Sequence, residues 1–165
     1  MRVVFSFIFS ILFTSCSSYH LGMDQELPFS SIYITPVVNN TQAPQTQALF
    51  SKVLRDQFVQ EPSLVLVGSE QNAGAVLNVE ISSYDRIMSA HDEDTDLARS
   101  YQLRIVASCS LLDARSGQVY FRNRSLDIKT TAYNEDHISR AQNQNFPSIL
   151  DALAKKIVEE VVGVW

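Results

Sequence analysis

Four basic side chains in the second half of the chain have the type and spacing needed to bind phosphate groups. They are Arg104, Arg122, Arg124 and Lys129. Arg104 alternates with apolar neighbours, so a strand here would point it away from the core. Arg122 and Arg124 are two residues apart and would share a face of the next strand. Guanidinium groups bind phosphate through paired hydrogen bonds, which predicts an exposed sheet face that binds an anionic lipid.

A balanced, solvated face is the alternative interpretation of these residues. Glu80 and Asp127 are predicted on the same sheet, where they would neutralise part of the positive charge. Exposed ion pairs of this kind are common on protein surfaces and need not form a binding site.

An acidic segment in the middle of the chain has the spacing that opens a calcium-binding loop. Asp92, Asp94 and Asp96 alternate as the first three calcium ligands do. However, Leu97 stands where such a loop needs glycine for its sharp turn, and Leu103 stands where it needs a bidentate glutamate. The segment therefore favours a solvated hairpin tip, with a calcium site as the alternative.

No catalytic motif is recognisable in the sequence. It contains no Gly-x-Ser-x-Gly, Walker, His-Glu-x-x-His or Cys-x-x-Cys pattern. The three histidines, His20, His91 and His137, are scattered through predicted loops and the N-terminal tether. A hydrolase or metal-dependent enzyme needs convergent titratable groups, so we expect no enzyme, no cofactor and no metal site.

The composition is that of one mildly acidic domain. The chain has 165 residues, with 13 Lys+Arg against 18 Asp+Glu and a net charge of −5. A length of about 150 residues is typical of a single domain. Because an acidic protein repels polyphosphate, the balance argues against nucleic acid as a partner.

The N-terminus has the composition of a secretory signal. Arg2 precedes an apolar run over residues 3–13, and no acidic residue occurs before Asp24. The run would reach about 17 Å as a helix, which is too short for the roughly 30 Å hydrocarbon core of a bilayer. We predict a signal peptide over residues 1–15; the alternatives are a buried helix and a short membrane anchor.

Cys16 is predicted to carry a lipid. The segment 12–16 (Leu-Phe-Thr-Ser-Cys) resembles the lipobox of bacterial lipoproteins, with Phe13 where leucine is usual. In that motif the thiol receives a diacylglyceryl group, and two or more acyl chains give stable membrane attachment. Ser17, in place of aspartate, resembles an outer-membrane sorting signal. Residues 16–28 would then be the lipidated cysteine and a tether, ahead of a single domain over residues 29–165.

The second cysteine, Cys109, falls in phase with the apolar residues of a predicted strand. This pattern indicates a small buried hydrophobic side chain. A disulfide to Cys16 is the alternative, and it requires that Cys16 is not acylated.

Hydrophobic periodicity predicts the elements that position these residues. We expect a strand from residue 31 that ends at Pro36 or Val38, and a helix from Pro44 to about Gln60. The remaining elements are a short strand at 64–67, three long strands at 75–88, 101–111 and 118–131, and a helix that begins near Phe146-Pro147. Short loops between the long strands imply antiparallel pairing.

Each predicted helix has one apolar stripe and each long strand has one apolar face. The predicted fold class is therefore α+β, with two helices packed on one face of a mostly antiparallel β-sheet in a two-layer sandwich. The other sheet face carries the polar residues, and any ligand-binding function is expected there or in the loops.

Short motifs follow one another along the mature chain in a characteristic order. They are Cys16-Ser-Ser-Tyr-His-Leu21, Ile32-Tyr-Ile34 with Val37, Asn39 and Thr41, residues 73–81 with Tyr84, Tyr101-x-Leu103, Leu112-Asp113 with Gly117-x-Val119, and Leu153-Ala-x-x-Ile157-Val158. This order is similar to that of the LptE family of lipopolysaccharide-assembly lipoproteins. Ser18 replaces the family's glycine and Gly74 replaces its aspartate.

This resemblance implies an outer-membrane lipoprotein on the periplasmic face that sits inside the LptD β-barrel, supports its assembly and helps deliver lipopolysaccharide to the outer leaflet. It also implies lipopolysaccharide binding, which we assign to Arg104, Arg122, Arg124 and Lys129 from their predicted face rather than from a matched motif. The alternative is an adaptor lipoprotein of another envelope complex, such as a secretion channel.

Overall fold

A computed structural model of the protein describes residues 27–43, 46–91, 98–133 and 138–164. The predicted signal peptide, Cys16 and the aspartate-rich segment 92–97 lie outside these residues, so their roles stay predictions. Within the described ranges, no helix is both long and apolar enough to cross a membrane.

The described chain contains two α-helices and six strands. They are β1 (Ser31–Ile34), β2 (Val38–Asn39), α1 (Thr46–Val59), β3 (Val65–Leu66), β4 (Ala75–His91), β5 (Ala98–Asp113), β6 (Val119–Tyr133) and α2 (Ile138–Val162), with a short 3₁₀ turn over Glu70–Asn72. The three long strands follow the alternation of apolar and polar residues that predicted them.

The strands form one sheet in the order β3-β1-β4-β5-β6, with β2 also paired to β4. The three long strands are antiparallel, as predicted. β1 is parallel to β3, because α1 carries the chain back across the sheet before β3 begins, and the connection over residues 67–74 then places β4 parallel to β1 on its other side. The sheet is therefore mixed, and the predicted α+β class with a mostly antiparallel sheet is confirmed.

Both helices pack against one face of the sheet and form a single core with it. α1 contributes Phe50, Leu54 and Phe58, which recur every four residues and are fully buried. α2 contributes a second stripe, consisting of Ile149, Leu150, Leu153, Ile157 and Val161. The sheet supplies the alternate residues of β4 and β5, so one face of each strand is apolar and buried.

The start of the last helix differs from the prediction. α2 begins at Ile138, and Pro147 lies inside it rather than in its first turn. Proline favours a helix start but can be held inside a long helix when the packing of its neighbours outweighs the lost backbone hydrogen bond. Here Phe146 meets Tyr84 edge to face, with ring centroids 5.3 Å apart, and Ile149 is buried.

Gly74 allows the chain before β1 to pack closely against the start of β4. A Cβ atom added at Gly74 would lie 2.9 Å from Cβ of Phe29, which is buried in the core. We expect Gly74→Ala to lower the free energy of unfolding by about 1–3 kcal/mol, as overpacking does elsewhere. Urea unfolding monitored by circular dichroism would measure this.

Gly68→Ala is the matched control for this variant, because a Cβ added at Gly68 meets no heavy atom within 4 Å. Its effect should stay within about 0.5 kcal/mol. Equal losses in the two variants would contradict the steric explanation.

Candidate functional site on the outer sheet face

The face of the sheet opposite the helices is the candidate functional site, and we refer to it as the outer face. Pairing between β4, β5 and β6 arranges its centre as three rows of three residues. The rows are Glu80-Ser108-Ser125, Ser83-Val106-Asp127 and Asp85-Arg104-Lys129. In the described chain no helix packs on this side, so its polar side chains are half-buried or exposed.

Arg104 is held in a forked ion pair with Asp127. Its Nε donates to both carboxylate oxygens at 3.1 Å, and its Nη2 donates to Oδ2 at 2.8 Å. The hydrogen bond from Arg104 lowers the pKa of Asp127, with Lys129 adding a smaller effect. The same bond raises the pKa of Arg104. Both groups therefore stay charged across the physiological pH range.

Lys129 lies directly across from Arg104 on the neighbouring strand, and its side chain is exposed. Asp85 lies on the other side of Arg104 in the same row. The structure thus brings two of the four predicted site residues together. Two adjacent cations on the outer face are a geometry that can bind phosphate, provided that the ligand competes with Asp127 for Arg104.

Arg124 does not share a face with Arg122, and this part of the prediction is wrong. Phe121 pairs with Leu111 and Arg124 pairs with Cys109, so both face the helices although they are three residues apart. Asn123 between them has a φ of 52°, which is rare outside glycine, and its backbone N–H donates to Ser110 Oγ at 2.9 Å. This bulge adds one residue and reverses the alternation.

The bulge directs Arg124 toward α2. Its Nη1 forms an ion pair with Glu160 at 2.5 Å, and its guanidinium lies 4.5 Å from the ring centroid of Phe121. Arg124 therefore joins β6 to the helix layer instead of facing a ligand on the outer face. Arg122 follows the buried Phe121 and is exposed, and it forms no ion pair or hydrogen bond with the described residues.

Charges on the outer face are balanced rather than strongly basic. Arg104, Lys129 and Arg122 are accompanied by Asp85, Asp127 and Glu80. Asp127 pairs with Arg104, whereas Glu80 accepts a hydrogen bond from Asn40 Nδ2 at 2.5 Å. Asp85 is the member of this set that sequence reasoning missed, since its alignment with Arg104 depends on a register shift between Ile81 and Ser83.

Cys109 is a free thiol buried in the core, which agrees with its place among apolar residues. Burial raises the pKa of this thiol to about 11, with a further contribution from the negative charge of Glu160. Because thiolate is the reactive form, Cys109 should resist alkylation at pH 8 in the folded protein. Mass spectrometry after maleimide treatment should show modification of Cys109 only once denaturant is added; rapid labelling of the native protein would contradict the burial.

Among the described residues, no group of three histidine, cysteine, aspartate or glutamate side chains is placed to hold a metal ion. The segment proposed as an alternative calcium loop is not part of those residues.

A family model for lipopolysaccharide assembly, LptE, matches residues 29–162. The match covers all six strands and both helices. The chain belongs to the LptE family. No curated protein matches it in a sequence comparison, so the assignment depends on the family model and on the order of motifs rather than on a near relative.

Solved structures share the fold of this LptE-family chain at low sequence identity. The hypothetical protein CT253 from Chlamydia trachomatis is 16% identical, with a TM-score of 0.60, over 82% of this chain and 97% of its own. Uncharacterized lipoprotein B from Nitrosomonas europaea is 14% identical, with a TM-score of 0.55, over 85% and 86%. The PelC dodecamer from Paraburkholderia phytofirmans is 13% identical, with a TM-score of 0.52, over 80% and 86%. These similarities establish the fold alone.

Proposed function

We propose that this LptE-family protein is an outer-membrane lipoprotein, anchored through Cys16, that plugs an LptD-like β-barrel and helps deliver lipopolysaccharide to the outer leaflet. The observation that carries the proposal is the family match over residues 29–162. The barrel, the lipid anchor and the outer membrane follow from the family resemblance.

The shape of the domain is compatible with a plug. Both helices cover one side of the sheet, while the centre of the outer face presents rows of polar and charged side chains, with Val106 as the apolar member. Such a surface can lie against a barrel wall or a polar lipid headgroup, provided that its polar groups find hydrogen-bond partners there. The protein's contribution would be a complementary surface, and no bond-making chemistry is required.

The outer face also supports a role in binding lipopolysaccharide, whose phosphates need cationic partners. Arg104 and Lys129 are adjacent, and Arg122 is exposed on the same strand as Lys129. Arginine binds phosphate through two parallel hydrogen bonds, and lysine adds a point charge. Since Arg124 is engaged with Glu160, we assign the proposed contact to the other three residues.

Extraction of the native membrane protein in mild detergent, followed by affinity purification and mass spectrometry, tests the barrel assignment. We expect an LptD-like barrel in a one-to-one ratio. Recovery of a different envelope complex would contradict the proposal and favour the adaptor alternative. The fold shared with the PelC dodecamer makes a ring-forming adaptor the second candidate.

Cys16→Ala should abolish lipidation, because the thiol is the predicted attachment point. With no acyl chain the protein has no strong membrane affinity. Cell fractionation should therefore show nearly all of the Cys16→Ala variant in the soluble envelope fraction rather than in the membrane. Cys109→Ala is the matched control and should leave localisation unchanged; continued attachment of the Cys16 variant would indicate an uncleaved apolar anchor.

A further inference from the structure

β6 forms one border of the sheet, and in the described chain no strand pairs with its outer edge. Residues 124–133, which we call the regular segment, pair with β5 at ten successive positions without a bulge. The segment contains neither proline nor glycine. Unpaired N–H and C=O groups along a flat edge form a template for another strand.

Charges on the regular segment restrict which strand can be added. Lys129 lies directly opposite Arg104, whose charge is balanced by Asp127, and Lys129 itself forms no ion pair with the described residues. An added strand that placed a carboxylate on the other side of Lys129 would supply this missing counter-charge. Asp127 lies two residues away on the same face and would in turn favour a cation opposite it.

A second copy of the chain meets both requirements in one register. In a strand, the backbone N–H and C=O groups of every second residue point to the same edge. In an antiparallel pair of identical strands, two residues that exchange hydrogen bonds are therefore separated by an even number of positions in the sequence. The two-fold axis then passes beside a residue rather than between two residues. Centring on Ile128 places Asp127 of each copy opposite Lys129 of the other. Centring on Asp127 or on Lys129 would instead place like charges directly opposite each other.

We propose that β6 pairs antiparallel with β6 of a second copy about a two-fold axis at Ile128. Such an interface is isologous, so it covers the exposed edge of both copies and stops further addition on that side. The inference goes beyond the proposed function and concerns the protein when it is not bound to a barrel.

Disulfide trapping in the full-length protein, purified in mild detergent, tests the pairing. Ser125 and Thr131 are exposed, lie on the outer face and would be opposite each other across the two-fold axis. The Ser125→Cys, Thr131→Cys double variant should form a covalent dimer on a non-reducing gel after mild oxidation. Within one chain these positions are about 20 Å apart, too far for a disulfide.

The matched control is Ser125→Cys with Thr130→Cys, which moves the second cysteine to the opposite face of the strand. It should give little covalent dimer. Equal trapping in both variants, or no covalent dimer from the first variant while circular dichroism shows it folded, would overturn the proposal. Trapping to another protein in place of a second copy would also overturn it.

Charge variants test the register independently. Lys129→Asp places two carboxylates opposite each other in both halves of the interface and should raise the dimer dissociation constant about tenfold, as measured by sedimentation velocity. Adding Asp127→Lys restores opposite charges and should recover most of the affinity. Failure of the double exchange to recover dimerisation, with both variants folded, would contradict the proposed register.

Discussion

Reversing the charge of Arg122 and Lys129 together is expected to lower the affinity of the protein for lipopolysaccharide about a hundredfold. Each residue would give up a charged hydrogen bond to phosphate, worth about 1.5 kcal/mol or more, and about 1.4 kcal/mol corresponds to a factor of ten. Both side chains are exposed, so Arg122→Glu with Lys129→Glu should fold normally. Binding of purified lipopolysaccharide to the detergent-solubilised protein, measured by surface plasmon resonance, provides the test.

The control for this variant is Lys52→Glu with Arg55→Glu, which makes the same change in net charge on the exposed side of α1. If binding depends on the outer face, the control should lose affinity only through the long-range field, which physiological salt largely screens. Similar losses in both variants would mean that total charge, rather than the outer face, governs binding.

Truncation of Phe50 should have the largest effect on stability. This ring is completely buried between α1 and the sheet, in a single core shared with α2. Phe50→Ala should lower the free energy of unfolding by about 3–5 kcal/mol, because it removes apolar burial and leaves a cavity. Val59→Ala on the same helix is the control, since Val59 is 70% exposed. Equal denaturation midpoints for the two variants would contradict the assignment of α1 to the core.

Most of the fold could be predicted from the sequence because its main helices and strands are long and their apolar residues recur at regular spacing. The long strands alternate between apolar and polar residues except at their bulges, and α1 repeats apolar residues every four positions. The parallel pairing of β1 could not be predicted, since β1 and β3 contribute only four and two residues to the sheet. The start of α2 differs from the prediction because Pro147 has the local signature of a helix start, whereas the packing of Phe146 and Ile149 favours a continuous helix.

The candidate site was less predictable than the fold, because side-chain direction depends on register. Simple alternation correctly placed Arg104 on the outer face, whereas Lys129 lies there because the bulge shifts the alternation after Arg122. The same rule failed at Arg124, because Asn123 adopts a left-handed backbone conformation. A glycine at this position would have suggested that conformation, but the residue is an asparagine. A bulge of this kind changes which side of the sheet all later residues face, and its only sequence signal is an asparagine in a strand.

The parallel pairing of β1 with β4 has a consequence for how the protein folds. Ile32 pairs with Ala75, so the first strand has no neighbour until much of the chain has been made. The meander of β4, β5 and β6, in contrast, is built from contacts between adjacent segments, and such local contacts cost less loop-closure entropy. We therefore expect the C-terminal hairpins to nucleate folding and the N-terminal segment to dock last. The part of the domain nearest the proposed lipid anchor would thus be the last to become ordered.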